Sequence, residues 1–271
     1  MRRFLPIICT LIYASILSGC DLNKSYHTKT IQTTSVAVDS LKQIVLVSDS
    51  LVKPVLYTNV SGLEYLPVPK AKATFVSAVL PSILVARHRV EENKRKLLYL
   101  QEKKSWEKSD SVFYKDLKVK YKASSLNDLI ARMITLPNSL VLAQAAVESG
   151  WGQSRFFLEG SNLFGVWSFN RYEPRIAAAK TRSKKRIYLR SYKDMSESIV
   201  HYFEIIGKAR PYIPLRVARQ KTEDPFLLLT HLKNFSERRS AYTRQLKKMI
   251  EVNDFTRYDH YQINPEYIHE D

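Results

Sequence analysis

The sequence predicts an α+β chain that is mainly α, with one small β-hairpin lobe. Apolar residues recur at three- and four-residue steps over most of the stretch beyond residue 72. Strict alternation is confined to Ile187-Tyr188-Leu189-Arg190-Ser191-Tyr192. Seven glycines in 271 residues argue against a Gly-rich barrel. A 45% apolar and 25% charged composition suits a globular protein with a real core and excludes a collagen-like, wholly disordered or polytopic membrane chain. Neither GxGxxG nor GxxxxGK[ST] occurs, so phosphate-loop chemistry is not expected.

The N-terminus speaks to location. Met1-Arg2-Arg3 is a positive segment ahead of a mostly apolar run from Phe4 to Leu17, a signal-type length too short to span a bilayer. It ends in Leu17-Ser18-Gly19-Cys20, which resembles a bacterial lipobox. Small residues let a peptidase approach the backbone, and the Cys20 thiol takes the lipid. The expected organisation is a lipoprotein signal peptide over residues 1–19 and a lipid-anchored tether over residues 20–64, rich in Ser, Thr, Val and Lys. A plain signal peptide with an incidental cysteine is the alternative. The other cysteine, Cys9, lies in the segment to be removed, so no disulfide is expected and stability must come from packing. The expected location is the cell envelope, membrane-anchored and periplasm-facing, with the leaflet open.

Pro67 and Pro69 mark the start of the folded part. Phe75, Ala78, Val79, Ile83 and Ala86 follow a helical period that Pro81 is expected to kink or restart. A charged amphipathic helix is read over Val90–Lys108. Ser124 or Ser125 with Asp128 reads as a cap ahead of Leu126, Leu129, Ile130 and Met133. Pro137-Asn138 opens a helix carrying Leu140, Val141, Ala143, Ala146 and Val147, which Gly150 ends. Beyond the hairpin, helices are expected over Ser196–Lys208, Pro225–Asn234 and Tyr242–Val252. Residues 259–271 read as a polar, aromatic C-terminal tail.

One stretch carries chemistry: Ala143-Gln144-Ala145-Ala146-Val147-Glu148-Ser149-Gly150-Trp151-Gly152-Gln153-Ser154. Glu148 closes the last turn of a helix of small apolar residues. The negative end of the helix dipole and the apolar surroundings both disfavour its carboxylate, so its pKa is expected to rise. A carboxylic acid kept protonated near neutral pH is what protonation of a leaving glycosidic oxygen requires. Trp151 offers a flat face for a sugar ring. On these residues alone, a capping or ion-paired structural glutamate is the competing explanation.

This stretch, followed by Ser161-Asn162-Leu163-Phe164-Gly165-Val166-Trp167, closely resembles the signature of the glycoside hydrolase family 73 N-acetylglucosaminidases, lysozyme-like peptidoglycan hydrolases. The chain is most similar to the Bax-type branch, whose members share segments here reading Leu80-Pro81-Ser82-Ile83-Leu84-Val85-Ala86 and Phe235-Ser236-Glu237-Arg238-Arg239-Ser240-Ala241-Tyr242. The resemblance covers roughly residues 65–258, which it implies form a glucosaminidase domain with an N-terminal helical extension. It implies that Glu148 is the general acid, that Trp151 and Gly152 form the helix-end turn, and that Asn162, Phe164 and Gly165 line the groove. The implied reaction is cleavage of the β-1,4 bond after GlcNAc in peptidoglycan.

Two departures from the family pattern stand out. Leu189 occupies the position where relatives carry a second glutamate in the hairpin; Glu173 is a possible substitute and Asp194 a weaker one. Phe235 stands where tyrosine is common, keeping stacking without the hydroxyl, while Tyr242 keeps its hydroxyl and either lines the cleft or packs the last helix. A missing second carboxylate does not exclude hydrolysis, because a 2-acetamido oxygen can attack its own anomeric carbon. The alternatives are a lytic transglycosylase using the same glutamate and a catalytically impaired wall-binding lipoprotein.

The net charge of +17, or +15 once Arg2 and Arg3 are lost, favours polyanionic partners. Export makes nucleic acid an unlikely partner in composition terms, leaving peptidoglycan glycan strands and the membrane reached through the N-terminal lipid. Eight basic residues and one acidic one between Arg171 and Arg190 either attract acidic wall peptides or lipid headgroups or form a solvated insertion. The six histidines are scattered without ligand spacing, no GxSxG occurs, and no cofactor or metal is expected.

Overall fold

The computed structural model describes residues 26–182 and 185–271. The expected signal segment, Cys20 and Lys184 lie outside them. Four short strands come first: β1 (Lys29–Ile31), β2 (Thr34–Ala37), β3 (Leu51–Val52) and β4 (Val55–Thr58). The 35-residue helix α1 (Val68–Glu102) follows, then α2 (Lys108–Lys120), α3 (Leu126–Arg132), α4 (Asn138–Ser149) and α5 (Arg155–Gly160). The hairpin pairs β5 (Arg175–Arg182) with β6 (Lys185–Arg190). Helices α6 (Met195–Lys208), α7 (Ile213–Arg219), α8 (Pro225–Leu229) and α9 (Ser240–Val252) precede two last strands, β7 (Gln262–Ile263) and β8 (Ile268–Glu270). The protein is mainly α, with small β elements, as its periodicity predicts.

Helix α1 is the axis of the molecule. Every residue from Thr74 to Ala86 is buried, so this stretch is apolar all round because it is surrounded all round. That burial also explains why α1 runs unbroken through Pro81, where a restart is expected. An interior proline costs about 3 kcal/mol, which thirteen packed residues outweigh. The same continuity merges the expected charged helix into α1, which ends at Glu102 rather than Lys108. Long and apolar enough to cross a membrane, the helix is instead packed mostly inside the protein. Helices α4 and α6 pack against α1, and α9 packs against α4.

Local caps behave as the sequence dictates. Ser125 accepts the Asp128 amide at 3.1 Å, opening α3, and the Asp194 carboxylate accepts the Ser196 and Glu197 amides at the start of α6. Asp194 is therefore a cap and not a second catalytic carboxylate. Helix α8 is shorter than expected because a 3-10 turn over Thr230–Leu232 tightens its end.

The expected tether and tail are both corrected. Among the described residues, 26–64 and 259–271 weave together along α1, with contacts from Ser77 to Tyr99. Strand β1 pairs antiparallel with β8, β3 pairs parallel with β7, and β2 pairs parallel with β4. Leu56, Tyr57, Val60 and Leu63 are each at most 2% exposed. Asp259 accepts hydrogen bonds from the Ser139 amide and hydroxyl at 2.7 and 2.8 Å, tying the C-terminal segment to the start of α4. The β1–β8 and β3–β7 pairings join residues over 200 positions apart, so no local period announces them.

Candidate active site

Helix α4 ends in a turn that fixes Glu148. Gly150, at φ +60°, and Trp151, at φ +58°, are both left-handed, and each donates its amide to the Ala146 carbonyl. The Ser149 hydroxyl donates to Ala145 O at 2.6 Å and accepts the Gly152 amide at 2.9 Å. Gly152 has φ +80°, and a Cβ there would lie 2.9 Å from Leu63 and 3.1 Å from Phe75. Glycine at 152 thus lets the chain leave the helix through the core, directly below the glutamate.

Burial is the largest influence on Glu148 and pushes its pKa above the ordinary 4.5. A hydrogen bond from Tyr242 and the nearby Arg238 guanidinium pull in the opposite direction and only partly offset it. A row of buried side chains stands behind this contact. Tyr202 donates to Gln144 Oε1 at 2.5 Å, and Gln144 Nε2 donates to the Tyr242 oxygen at 3.1 Å. All three are fully buried. Because the Tyr242 oxygen already receives the amide proton, its own hydroxyl proton is directed at Glu148. The Tyr242 phenol is held far above its usual pKa by burial and by Glu148, so it stays neutral and remains a donor.

Glu148 opens onto a cavity of about 800 Å³. Phe164, Gly165, Trp167 and Phe169 form one wall, Tyr202 and His201 another, and Phe235 a third. Phe164 stacks on Tyr202, with ring centroids 4.4 Å apart, and Phe235 lies parallel to Tyr242 at 5.9 Å. The rim carries Trp167 and Phe169, 44% and 87% exposed, with centroids 6.2 Å apart. The loop bearing them is braced on the hairpin. Ser168 donates to Tyr188 O at 2.8 Å and Arg190 to Val166 O at 2.9 Å.

Glu173 lines the same cavity, and its carboxylate pairs with Arg190 Nη2 at 3.1 Å. Arg190 also contacts the His201 ring at 3.1 Å. Burial and three neighbouring cations, Arg190 first, push His201 down to about 3, so it is neutral at physiological pH. Leu189, which replaces the expected hairpin glutamate, is buried in register with Ile176.

Of the residues singled out from sequence, Glu148, Phe164, Gly165, Phe235 and Glu173 share this cavity. Tyr242 reaches Glu148 from beneath, as a buried donor that packs the last helix rather than lining the cleft. Two expectations are corrected. Trp151 does not line the cavity; its ring packs edge-on against Phe75 at 5.4 Å and beside Phe255, under the Lys72 ammonium at 5.1 Å. The left-handed turn swings residue 151 away from Glu148. Asn162 is 1% exposed and braces the loop, its amide bonded to the carbonyls of Val166 and Arg190. Cys20 lies outside the described residues. Sequence reasoning missed Gln144, Trp167, Phe169, His201 and Tyr202, and read Arg190 only as part of a basic run. Gln144 had a signal, since it stands one helical turn before Glu148 on the same face.

Among the described residues, no group of three or more His, Cys, Asp or Glu side chains has the spacing to hold a metal ion. Residues 125–255 match the model of the Glucosaminidase family, described as mannosyl-glycoprotein endo-beta-N-acetylglucosaminidase. This segment is similar to the glucosaminidase family. The matched segment contains Glu148, Gln144, Tyr202 and Tyr242, together with every residue lining the cavity except Lys122. Protein bax of Escherichia coli K12 is 30% identical over 106 residues, 36% of this chain and 38% of that protein. The match thus spans well under half of that relative. The glycoside hydrolase domain of Salmonella typhimurium FlgJ is 26% identical, covering 52% of this chain and 87% of its own, with a TM-score of 0.37. The catalytic domain of the Listeria monocytogenes autolysin Auto is 18% identical, covering 64% and 87%, with a TM-score of 0.39.

Proposed function

We propose that the chain is a peptidoglycan hydrolase, an endo-β-N-acetylglucosaminidase that cleaves the β-1,4 bond after GlcNAc. The observation that carries this reading is a half-buried carboxyl, Glu148, whose pKa is raised at the edge of an aromatic-walled cavity, inside a segment similar to the glucosaminidase family. Glu148 donates its proton to the oxygen leaving the anomeric carbon, and the pair of the breaking C–O bond goes to that oxygen. The carbon is closed either by water or first by the substrate's own 2-acetamido oxygen and then by water. Glu173, its charge answered by Arg190, is the carboxylate at hand to take the proton that water gives up. Anchoring through Cys20 would hold this activity at the cell envelope, against the glycan.

Digestion of purified sacculi followed by mass spectrometry tests the reading. Reducing GlcNAc ends are expected; 1,6-anhydro-muramyl ends would mark a lytic transglycosylase, and intact sacculi that retain the protein would mark a binding protein.

Two further outcomes follow from the geometry. Removing the Tyr242 hydroxyl in Tyr242→Phe takes away a hydrogen bond that favours the Glu148 carboxylate, so the Glu148 pKa rises further. The alkaline limb of the pH–rate profile then moves to higher pH; an unmoved or lowered limb contradicts the contact. Trp167→Ala and Phe169→Ala remove exposed stacking faces from the rim. Each is expected to raise KM for glycan roughly tenfold, about 1.4 kcal/mol, with kcat much less affected.

A further inference from the structure

A second cavity, of about 670 Å³, lies on the far side of Arg190 and His201, which line both. Its size is within the ~300–1,000 Å³ typical of small-ligand sites. The segment Thr28–Thr33 forms one wall, His88 and Arg89 of α1 a second, and Glu204 of α6 a third. The first two walls lie outside residues 125–255, so this chain builds the cavity largely from parts beyond the segment that matches the family model.

Its charges are unevenly satisfied. Glu92 accepts from the Lys29 amide, from Tyr26 and from Arg95, and Glu204 pairs with Lys120 at 2.6 Å. Among the described residues, Arg89 has only a hydroxyl, Ser196 Oγ at 3.0 Å, as hydrogen-bond partner, and the buried Nε of Arg190 has none, although its Nη2 pairs with Glu173. Glu92 and Glu204 therefore have cationic partners while Arg89, among the described residues, has no carboxylate partner, and Thr28, Thr30 and Thr33 line the same cavity. A polyphosphate would meet Glu92, Glu197 and Glu204; a peptide bearing both carboxylates and an amine matches a wall of mixed sign.

We propose that this second cavity binds the acidic stem peptide of the glycan strand held beside Glu148, with Arg89 taking a peptide carboxylate. The proposal rests on the peptidoglycan reading above and adds to it a preference for peptide-bearing over denuded glycan. Because Arg190 separates the two cavities, the sugar and its peptide sit on either side of one side chain.

Calorimetric titration of the full chain with N-acetylmuramic acid, with and without an attached L-alanyl-γ-D-glutamyl-diaminopimelate tripeptide, tests it. Neither probe has a bond for the enzyme to cleave. The tripeptide-bearing probe is expected to bind roughly tenfold more tightly, the yield of one charge-assisted hydrogen bond. Arg89→Ala should erase most of that preference, and Arg89→Lys should retain much of it. Arg89 is exposed, so an unchanged melting temperature accompanies both variants. Equal affinity for the two probes, binding of neither, or a preference that survives Arg89→Ala overturns the proposal. Sacculus digestion that proceeds while the tripeptide adds no affinity removes this site and leaves hydrolysis standing.

Discussion

Glu148→Gln is expected to lower glycan cleavage by roughly a thousandfold, within the ~10²–10⁴ contributed by a positioned general acid. Gln keeps the shape of the side chain and still accepts the Tyr242 hydrogen bond, so the wall of the cavity stays intact. What it lacks is a proton to give. The measurement is release of soluble muropeptides from sacculi. A loss concentrated in kcat is expected, because the cavity walls formed by Phe164, Trp167 and Phe235 are untouched. Clearance at the wild-type rate would remove Glu148 from the chemistry.

The second large effect concerns folding. A chain beginning at Leu66 is expected not to fold cooperatively. Leu56, Tyr57, Val60 and Leu63 are buried to 2% exposure or less, and each such side chain stabilises by about 1.5–3 kcal/mol. Together they match the whole margin of a typical domain, about 5–15 kcal/mol. Removing them also uncovers Phe75 and Gly152, against which Leu63 packs, and so reaches the turn that holds Glu148. Thermal unfolding followed by near-ultraviolet circular dichroism reads the outcome. A sharp transition in the truncated chain, close to that of the full chain, would restore the tether that composition implies.

These two cases mark what was legible in the sequence and what was not. Helix ends governed by one or two residues were readable: Ser125 capping α3, Pro137 opening α4, Gly150 in the left-handed position. Glu148 was readable because its disfavour follows from its own helix. Pairings between Lys29–Ile31 and Ile268–Glu270 depend on residues at opposite ends of the chain, and no periodicity within either segment carries them. Trp151 misled for a related reason. Its chemistry suits a sugar, but its direction is set by a backbone at φ +58° and by Phe75, which lies 76 positions earlier. Glu173 was visible only as the single acid of a basic run, and its place in the cavity rests on Arg190 across the hairpin base.

The raised pKa has a consequence for stability with a definite sign. The native state binds a proton at Glu148 more tightly than the unfolded chain does. As pH rises past the ordinary 4.5, folding therefore loses stability at this position until the folded pKa is passed. Glu148→Gln escapes that loss, so its melting temperature should gain on wild type as pH increases from 4 toward neutrality (about three units). The direct measurement is a carboxyl-carbon NMR titration of the full chain labelled at glutamate, with Glu148 assigned by its absence in Glu148→Gln. An inflection above 4.5 is expected, shifting further upward in Tyr242→Phe; an inflection at or below 4.5 would mean an ordinary solvated carboxylate and no acid catalyst at the cavity floor.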